Sequence, residues 1–126
     1  DLNDLAKEVD TLCIITPGGK GTEKLINKKV LGNLGKDGVL INVARGSVID
    51  QDELIYSLEN NLILAAGLDV YTNEPNIPEK LINLDNTVLL PHIASGTVET
   101  RNAMGQLVFD NIENYFQKKS LISEVV

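Results

Sequence analysis

Four short apolar runs, each closed by a glycine, a proline or a polar cluster, recur along the chain and alternate with helical patterns. They are Val9–Ile15, Gly38–Val43, Leu64–Asp69 and Thr87–Leu90. Their near-continuous apolar character predicts strands buried on both faces of a parallel sheet, and the alternation with helices predicts βα units. The opening Asp1–Glu8 reads as a helix. Between the second and third runs, Asp50 stands three residues before Glu53, a capping-box spacing, and Leu54, Ile55 and Leu58 follow at helical intervals. This pattern predicts a helix from about Gln51 to Asn60. After the fourth run, Thr97 is placed to cap a long helix whose Ala103, Met104, Leu107, Val108, Ile112, Tyr115 and Phe116 form one stripe. Lys118-Lys119-Ser120 then reads as the start of a loosely held tail.

Right-handed crossovers between consecutive parallel strands place every connecting helix on the same face of the sheet. A doubly wound sheet needs a second half wound the opposite way, and only one direction of winding is legible here. The expected fold class is therefore α/β: a partial, Rossmann-like parallel sheet of about four strands with connecting helices and a long C-terminal helix.

Composition narrows the function classes. The 126 residues are 43% apolar and carry 11 Lys and Arg against 18 Asp and Glu, a net charge of −7. This balance fits a globular domain or part of one, and it offers no basic stripe for a phosphate backbone, which argues against nucleic acid as a partner. No apolar run approaches the ~18 residues of a membrane span, so no membrane association is expected. One cysteine, Cys13, excludes an intrachain disulfide framework and a multi-thiolate zinc site. It fits a reducing compartment, with the cytoplasm as the expected location. The chain opens without a methionine, inside a helical pattern, and is read as a fragment of a larger two-domain protein.

In open parallel sheets ligands sit beyond the carboxyl ends of the strands, which directs attention to the residues that follow each run. These are Thr16-Pro17-Gly18-Gly19, Arg45-Gly46-Ser47, Asp69 with Glu74-Pro75, and Pro91-His92-Ile93-Ala94-Ser95. An arginine, two acids and the only histidine of the chain thus converge on one sheet edge. A guanidinium grips a carboxylate with two parallel hydrogen bonds, and an imidazole beside a carboxylate suits a general acid that protonates a developing alkoxide. Arg45 with a Glu74–His92 pair fits the reduction of a 2-oxo acid. Plainer readings stand beside this one. Arg45 could be a loop arginine paired with a surface carboxylate, Glu74-Pro75 a turn, Asp69 a cap or turn former, and His92 a structural hydrogen-bonder. Cys13 reads as a small buried hydrophobe, and Gly18-Gly19-Lys20-Gly21-Thr22 as a flexible turn that lacks the phosphate-loop spacing.

Three stretches carry a resemblance: Val39-Leu-Ile-Asn-Val-Ala-Arg-Gly-Ser-Val-Ile-Asp50, Ala66-Gly-Leu-Asp-Val-Tyr-Thr-Asn-Glu-Pro75 and Leu90-Pro-His-Ile-Ala-Ser95. Together they resemble the C-terminal part of the cofactor domain of the D-isomer-specific 2-hydroxyacid dehydrogenases. Arg, Glu and His occur in that family's order, Glu74 following Arg45 by 29 residues and His92 following Glu74 by 18. Leu34-Gly-Lys-Asp-Gly38, His92–Ala103 and Asn114–Leu121 look most like the glyoxylate/hydroxypyruvate reductases and hydroxyphenylpyruvate reductases. The resemblance implies an oxidoreductase using NAD or NADP to reduce a small 2-oxo acid to the D-2-hydroxy acid, in a homodimeric parent. It implies that residues 1–96 are the C-terminal half of a dinucleotide-binding domain and that 97–126 are a helix and tail returning toward a substrate domain.

By the same resemblance, Arg45 would bind and orient the substrate, His92 would donate the proton, and Glu74 would hold the imidazole in its charged form. Asp69 would bond the nicotinamide carboxamide, while Thr16, Pro17, Val43, Ala44, Arg45, His92, Ala94 and Ser95 would line the cofactor. The family's G-x-G-x-x-G turn, the residue that selects NAD or NADP, and the substrate domain are all absent from this sequence, so the chain by itself is not expected to turn over. A corepressor-like interaction protein of the same family and a free-standing nucleotide-binding module are the alternative readings.

Overall fold

Leu12 and Ile14, Leu40 and Asn42, and Ala66 and Leu68 are the buried members of three neighbouring strands, and each alternates with a more exposed residue. The computed structural model, which describes residues 1–124, arranges β1 (Thr11–Ile14), β2 (Val39–Asn42), β3 (Ala65–Leu68) and β4 (Thr87–Leu89) as one parallel sheet in the order β1-β2-β3-β4. The register pairs Thr11 with Val39, Val39 with Ala65, and Ala66 with Thr87. Consecutive parallel neighbours require crossovers, and those are α2 (Lys28–Leu34), α3 (Gln51–Glu59) and α4 (Glu79–Ile82), with α1 (Leu2–Glu8) preceding the first strand. α2 packs against both α1 and α3. The core beneath them is aliphatic: Leu31, Leu40, Leu54, Leu58, Ile63 and Leu81 are at most 1% exposed. Each such side chain contributes roughly 1.5–3 kcal/mol by leaving water.

Local signals explain the helix ends. Asp1 caps α1 by accepting from the Asp4 amide, and Asn27 caps α2 by accepting from the Lys29 and Val30 amides. Gly35 ends α2 with a φ of 75°, a conformation that a Cβ disfavours. The N-terminus of α3 departs from the capping box expected there. Asp50 occupies the cap position, but its carboxylate lies 3.1 Å from Lys24 Nζ and makes no cap bond, while Glu53 faces Lys28 at 3.9 Å. Two lysines of the preceding segment have drawn both acids away from the backbone.

The strands also differ from the two-sided burial expected of them. Their helices cover a single face, so Cys13 is exposed on the other face rather than buried. Val88, in β4, is 65% exposed for the same reason. A short second ladder braces the long β1–α2 connection: Ile26 bridges Ile49, and the Lys24 and Ile26 amides donate to the Ser47 and Val48 carbonyls. The expected flexible turn at Gly18–Thr22 is held by the Thr22 hydroxyl, which donates to the Pro17 carbonyl at 2.7 Å.

The chain divides after His92. In the second unit Thr97 caps α5 (Val98–Phe116) through the Thr100 amide, as its sequence predicts. The apolar stripe forms on α5, but none of its residues is buried. The tail is less loose than its lysines suggest. Asn111 Oδ1 accepts from the Ile122 and Ser123 amides, and Asn114 Nδ2 donates to the Ser120 carbonyl. Among the described residues no helix is long and apolar enough to cross a membrane.

Candidate active site

Because all four strands run parallel, their carboxyl ends share one edge, and the first sharp turn there is built by Asn42. This last residue of β2 is fully buried, a costly place for an amide unless both of its polar atoms are satisfied. They are: Oδ1 accepts from the Ala44 amide and Nδ2 donates to the Arg45 carbonyl, each at 3.0 Å. The Val43–Arg45 segment is thereby clamped before it enters a short 3₁₀ turn at Gly46–Val48. Gly46 follows because nothing larger fits. A Cβ there would lie 1.9 Å from the Tyr71 carbonyl carbon and 2.4 Å from the Thr72 nitrogen. Since those atoms are backbone, Gly46→Ala must push the loop after β2 away from the loop after β3. It is expected to destabilise the fold by about 1–3 kcal/mol. The denaturant midpoint of the variant checks this, and an unchanged midpoint contradicts so close an approach.

Arg45 itself is exposed, and its Nη1 donates to the Ala44 carbonyl at 2.6 Å. Among the described residues no carboxylate lies within ion-pair distance of it, unlike the loop arginine paired with a surface acid that the sequence left open. Its stem runs along Gly18, where a Cβ would meet Arg45 Cγ at 3.0 Å. Thr16, Pro17, Val43, Ala44 and Arg45, with Ile15, Gly18, Gly19 and Ser47, line a cavity of about 710 Å³. Thr16 Oγ1 in its wall is buried with no hydrogen-bond partner. An orphaned hydroxyl of this kind costs about 1–3 kcal/mol, which a polar ligand group would recover.

The loops after β3 and β4 bring Glu74 and His92 together. His92 Nδ1 lies 2.6 Å from Glu74 Oε2, and Glu74 Oε1 accepts from the Tyr71 amide at 2.9 Å. The histidine backbone has a φ of 56°, a left-handed conformation costing about 1–2 kcal/mol that the imidazole–carboxylate bond helps to offset. Of the two ring nitrogens only Nδ1 faces the carboxylate, and this leaves Nε2 as the atom able to exchange a proton with a ligand. Tyr71 sits behind the pair, 6% exposed, its hydroxyl 2.8 Å from the Leu90 carbonyl and 3.1 Å from that of Leu68.

Hydrogen bonds from His92 and from the Tyr71 amide, with the positive charges of His92 and Arg45, hold the Glu74 carboxyl below its ordinary value of 4.5. A depressed carboxylate stabilises the fold fully above its ordinary value, and that contribution is lost as the pH falls through the folded one. The Glu74 side-chain carbon, followed by NMR, is therefore expected to titrate with a midpoint below 4.5. A midpoint at or above that value contradicts the pairing.

Asp69 is 2% exposed and lies outside the Thr16 cavity. It lines a neighbouring groove of about 480 Å³ over β2 to β4, which shares Val43 with that cavity. Ala94 and Ser95 belong to the second unit, in an exposed turn closed by the Gly96 amide on the Ile93 carbonyl. Asn42, Gly46 and Tyr71 were not legible as site residues. The one available signal was Asn42, a lone amide at the chemical end of an apolar strand.

Comparison with known proteins adds an independent observation. Residues 1–94 match the model of the D-isomer specific 2-hydroxyacid dehydrogenase NAD binding domain. The chain is 47% identical, over 98% of its length, to glyoxylate/hydroxypyruvate reductase A of Arabidopsis thaliana, of which it covers 39%. It is 46% identical to hydroxyphenylpyruvate reductase of Plectranthus scutellarioides, again over 98% of this chain and 39% of the relative. Among solved structures, the NADPH-dependent glyoxylate/hydroxypyruvate reductase of Sinorhizobium meliloti in complex with NADP and malonate superposes with a TM-score of 0.92 at 49% identity. That match covers 99% of this chain and 39% of that one. The chain thus spans about two-fifths of the length of the curated relatives it matches.

Proposed function

The chain belongs to the D-isomer specific 2-hydroxyacid dehydrogenases, and on that footing we propose that it supplies the proton-donating and anion-binding half of an NAD(P)-dependent reductase of small 2-oxo acids. Residues 1–96 are the C-terminal half of its dinucleotide-binding domain, and 97–126 are a helix and tail returning toward a substrate domain. The observation that carries this reading is the 2.6 Å Glu74–His92 pair on the same sheet edge as an arginine that, among the described residues, has no acidic partner. Such an arginine is free to take a substrate carboxylate in a two-pronged grip and to orient the neighbouring carbonyl. With Nδ1 on Glu74, His92 presents Nε2 to the carbonyl oxygen and gives it a proton as the carbonyl carbon is reduced.

A reduced nicotinamide, when bound, supplies the hydride to that carbon. The Thr16 cavity fits such a group in its chemistry: Ile15 and Val43 offer apolar wall, and the buried Thr16 hydroxyl lacks a partner that a carboxamide could provide. Thr16, Pro17, Val43, Ala44 and Arg45 would hold it there, with Asp69 and His92 of the same unit completing the proposed set. Glyoxylate and hydroxypyruvate are the substrates we favour, after the names of the relatives. A cytoplasmic homodimer belongs to the same proposal. The free, exposed Cys13 supports a reducing setting, and sedimentation of the full-length protein tests the dimer. To test the activity, the protein carrying this chain is mixed with NADH or NADPH and either oxo acid, and cofactor absorbance is followed. Oxidation that depends on the oxo acid is expected. Its absence with both cofactors and both acids overturns the proposal.

A further inference from the structure

Tyr71 stands where the two loops of the acid–base pair meet, and each polar group it offers toward them is engaged. Its amide donates to Glu74 Oε1 at 2.9 Å, and its hydroxyl lies 2.8 Å from the carbonyl of Leu90, two residues before His92. The same hydroxyl is 3.1 Å from the Leu68 carbonyl at the end of β3, so one phenol spans the ends of two adjacent strands. With the residue only 6% exposed, few rotamers compete with this placement. We propose that Tyr71 is a positioning residue that sets the Glu74–His92 geometry, anchoring the carboxylate through its amide and the loop that carries the histidine through its hydroxyl.

Glu74 and His92 sit on separate loops, exposed enough that their side chains are 34% and 47% accessible, and surface ion pairs between mobile groups are weak. A short, fixed hydrogen bond between them therefore needs both loops to be held from behind. Glu74 is held by the Tyr71 amide, but the backbone at His92 has a φ of 56°, which a loop left to itself would relax. The tie from the Tyr71 hydroxyl to Leu90 lies directly upstream of that strained residue. Burial raises the Tyr71 phenol above its ordinary value, which keeps the hydroxyl protonated and donating throughout the neutral range.

The role in catalysis rests on the proposed reductase reading, and two readouts separate the inference from that reading. The first needs no turnover. In the 126-residue chain, Tyr71→Phe keeps the ring and the amide and removes only the hydroxyl. The downfield Nδ1 proton of His92, the signature of its bond to Glu74, is expected to move upfield and to exchange faster with water. An unchanged Nδ1 proton in a folded Tyr71→Phe chain overturns the inference. Should the variant not fold, the wild-type Tyr71 hydroxyl proton decides: slow exchange supports the tie, and exchange as fast as that of a free tyrosine overturns it.

The second readout is kinetic, in the full-length protein carrying this chain. Tyr71→Phe is expected to lower kcat about tenfold or more while leaving the KM for the oxo acid nearly unchanged, as displacement of a proton donor does. His92→Gln is measured alongside. If His92→Gln abolishes turnover and Tyr71→Phe leaves kcat intact, the inference falls and the functional reading stands. If His92→Gln is active, the functional reading falls, and the Nδ1 proton still decides the positioning role.

Discussion

Replacing His92 by glutamine in the full-length protein is expected to lower kcat by about 10²–10⁴-fold, the usual contribution of a general acid, and to change KM far less. The reason lies in when the interaction is needed. A proton from Nε2 matters only as charge develops on the substrate oxygen, so its removal raises the transition state without loosening the ground state. Glutamine is the informative replacement because its amide can still bond Glu74 while offering no proton of suitable acidity. Steady-state kinetics over a range of oxo acid concentrations check the split. A variant within about a factor of two of wild type would remove His92 from the chemistry.

Arg45→Lys is expected to be the next most damaging change, despite keeping the charge. An ammonium cannot reproduce two parallel bonds to a planar carboxylate. Losing hydrogen bonds to a charged group, worth ~1.5–3 kcal/mol, corresponds to a fall in kcat/KM of about 10- to 150-fold. The loss should fall on both KM and kcat if, as proposed, Arg45 both holds the acid and aims its carbonyl. The protein already invests in this side chain: Asn42 clamps its loop from inside and Gly18 leaves room for its stem. An unchanged kcat/KM in Arg45→Lys would reduce Arg45 to a structural loop residue.

The sheet was legible because its signals are local. Apolar runs ended by Gly, Pro or polar clusters mark β1 to β4, and trimming each to its hydrogen-bonded core moves the ends by one or two residues. Helix α5 was equally plain, since Thr97 and a long periodic stripe point the same way. What failed depended on partners distant in sequence. Asp50 and Glu53 have capping-box spacing, yet Lys24 and Lys28 compete for their carboxylates. Cys13 lies in a continuous apolar run, but whether the second face of a sheet is covered is decided by other elements. The site divides along the same line. Arg45, Glu74 and His92 could be grouped as candidates because a parallel sheet collects its loops at one edge. Gly46 and Tyr71 could not, because each meets a backbone atom of another segment, which leaves no trace in composition or spacing, while Asn42 showed only as a lone amide at the end of an apolar strand.

The proposed reading brings a proton from His92 and a hydride from a nicotinamide to one carbonyl held by Arg45. Its most direct test supplies hydroxypyruvate and NADH or NADPH deuterated at the transferable position to the full-length protein, and then determines where the label lies and the configuration of the product. D-glycerate with one deuterium on C2 for each cofactor oxidised is the expected product. Unlabelled glycerate, or glycerate of the L configuration, would contradict it.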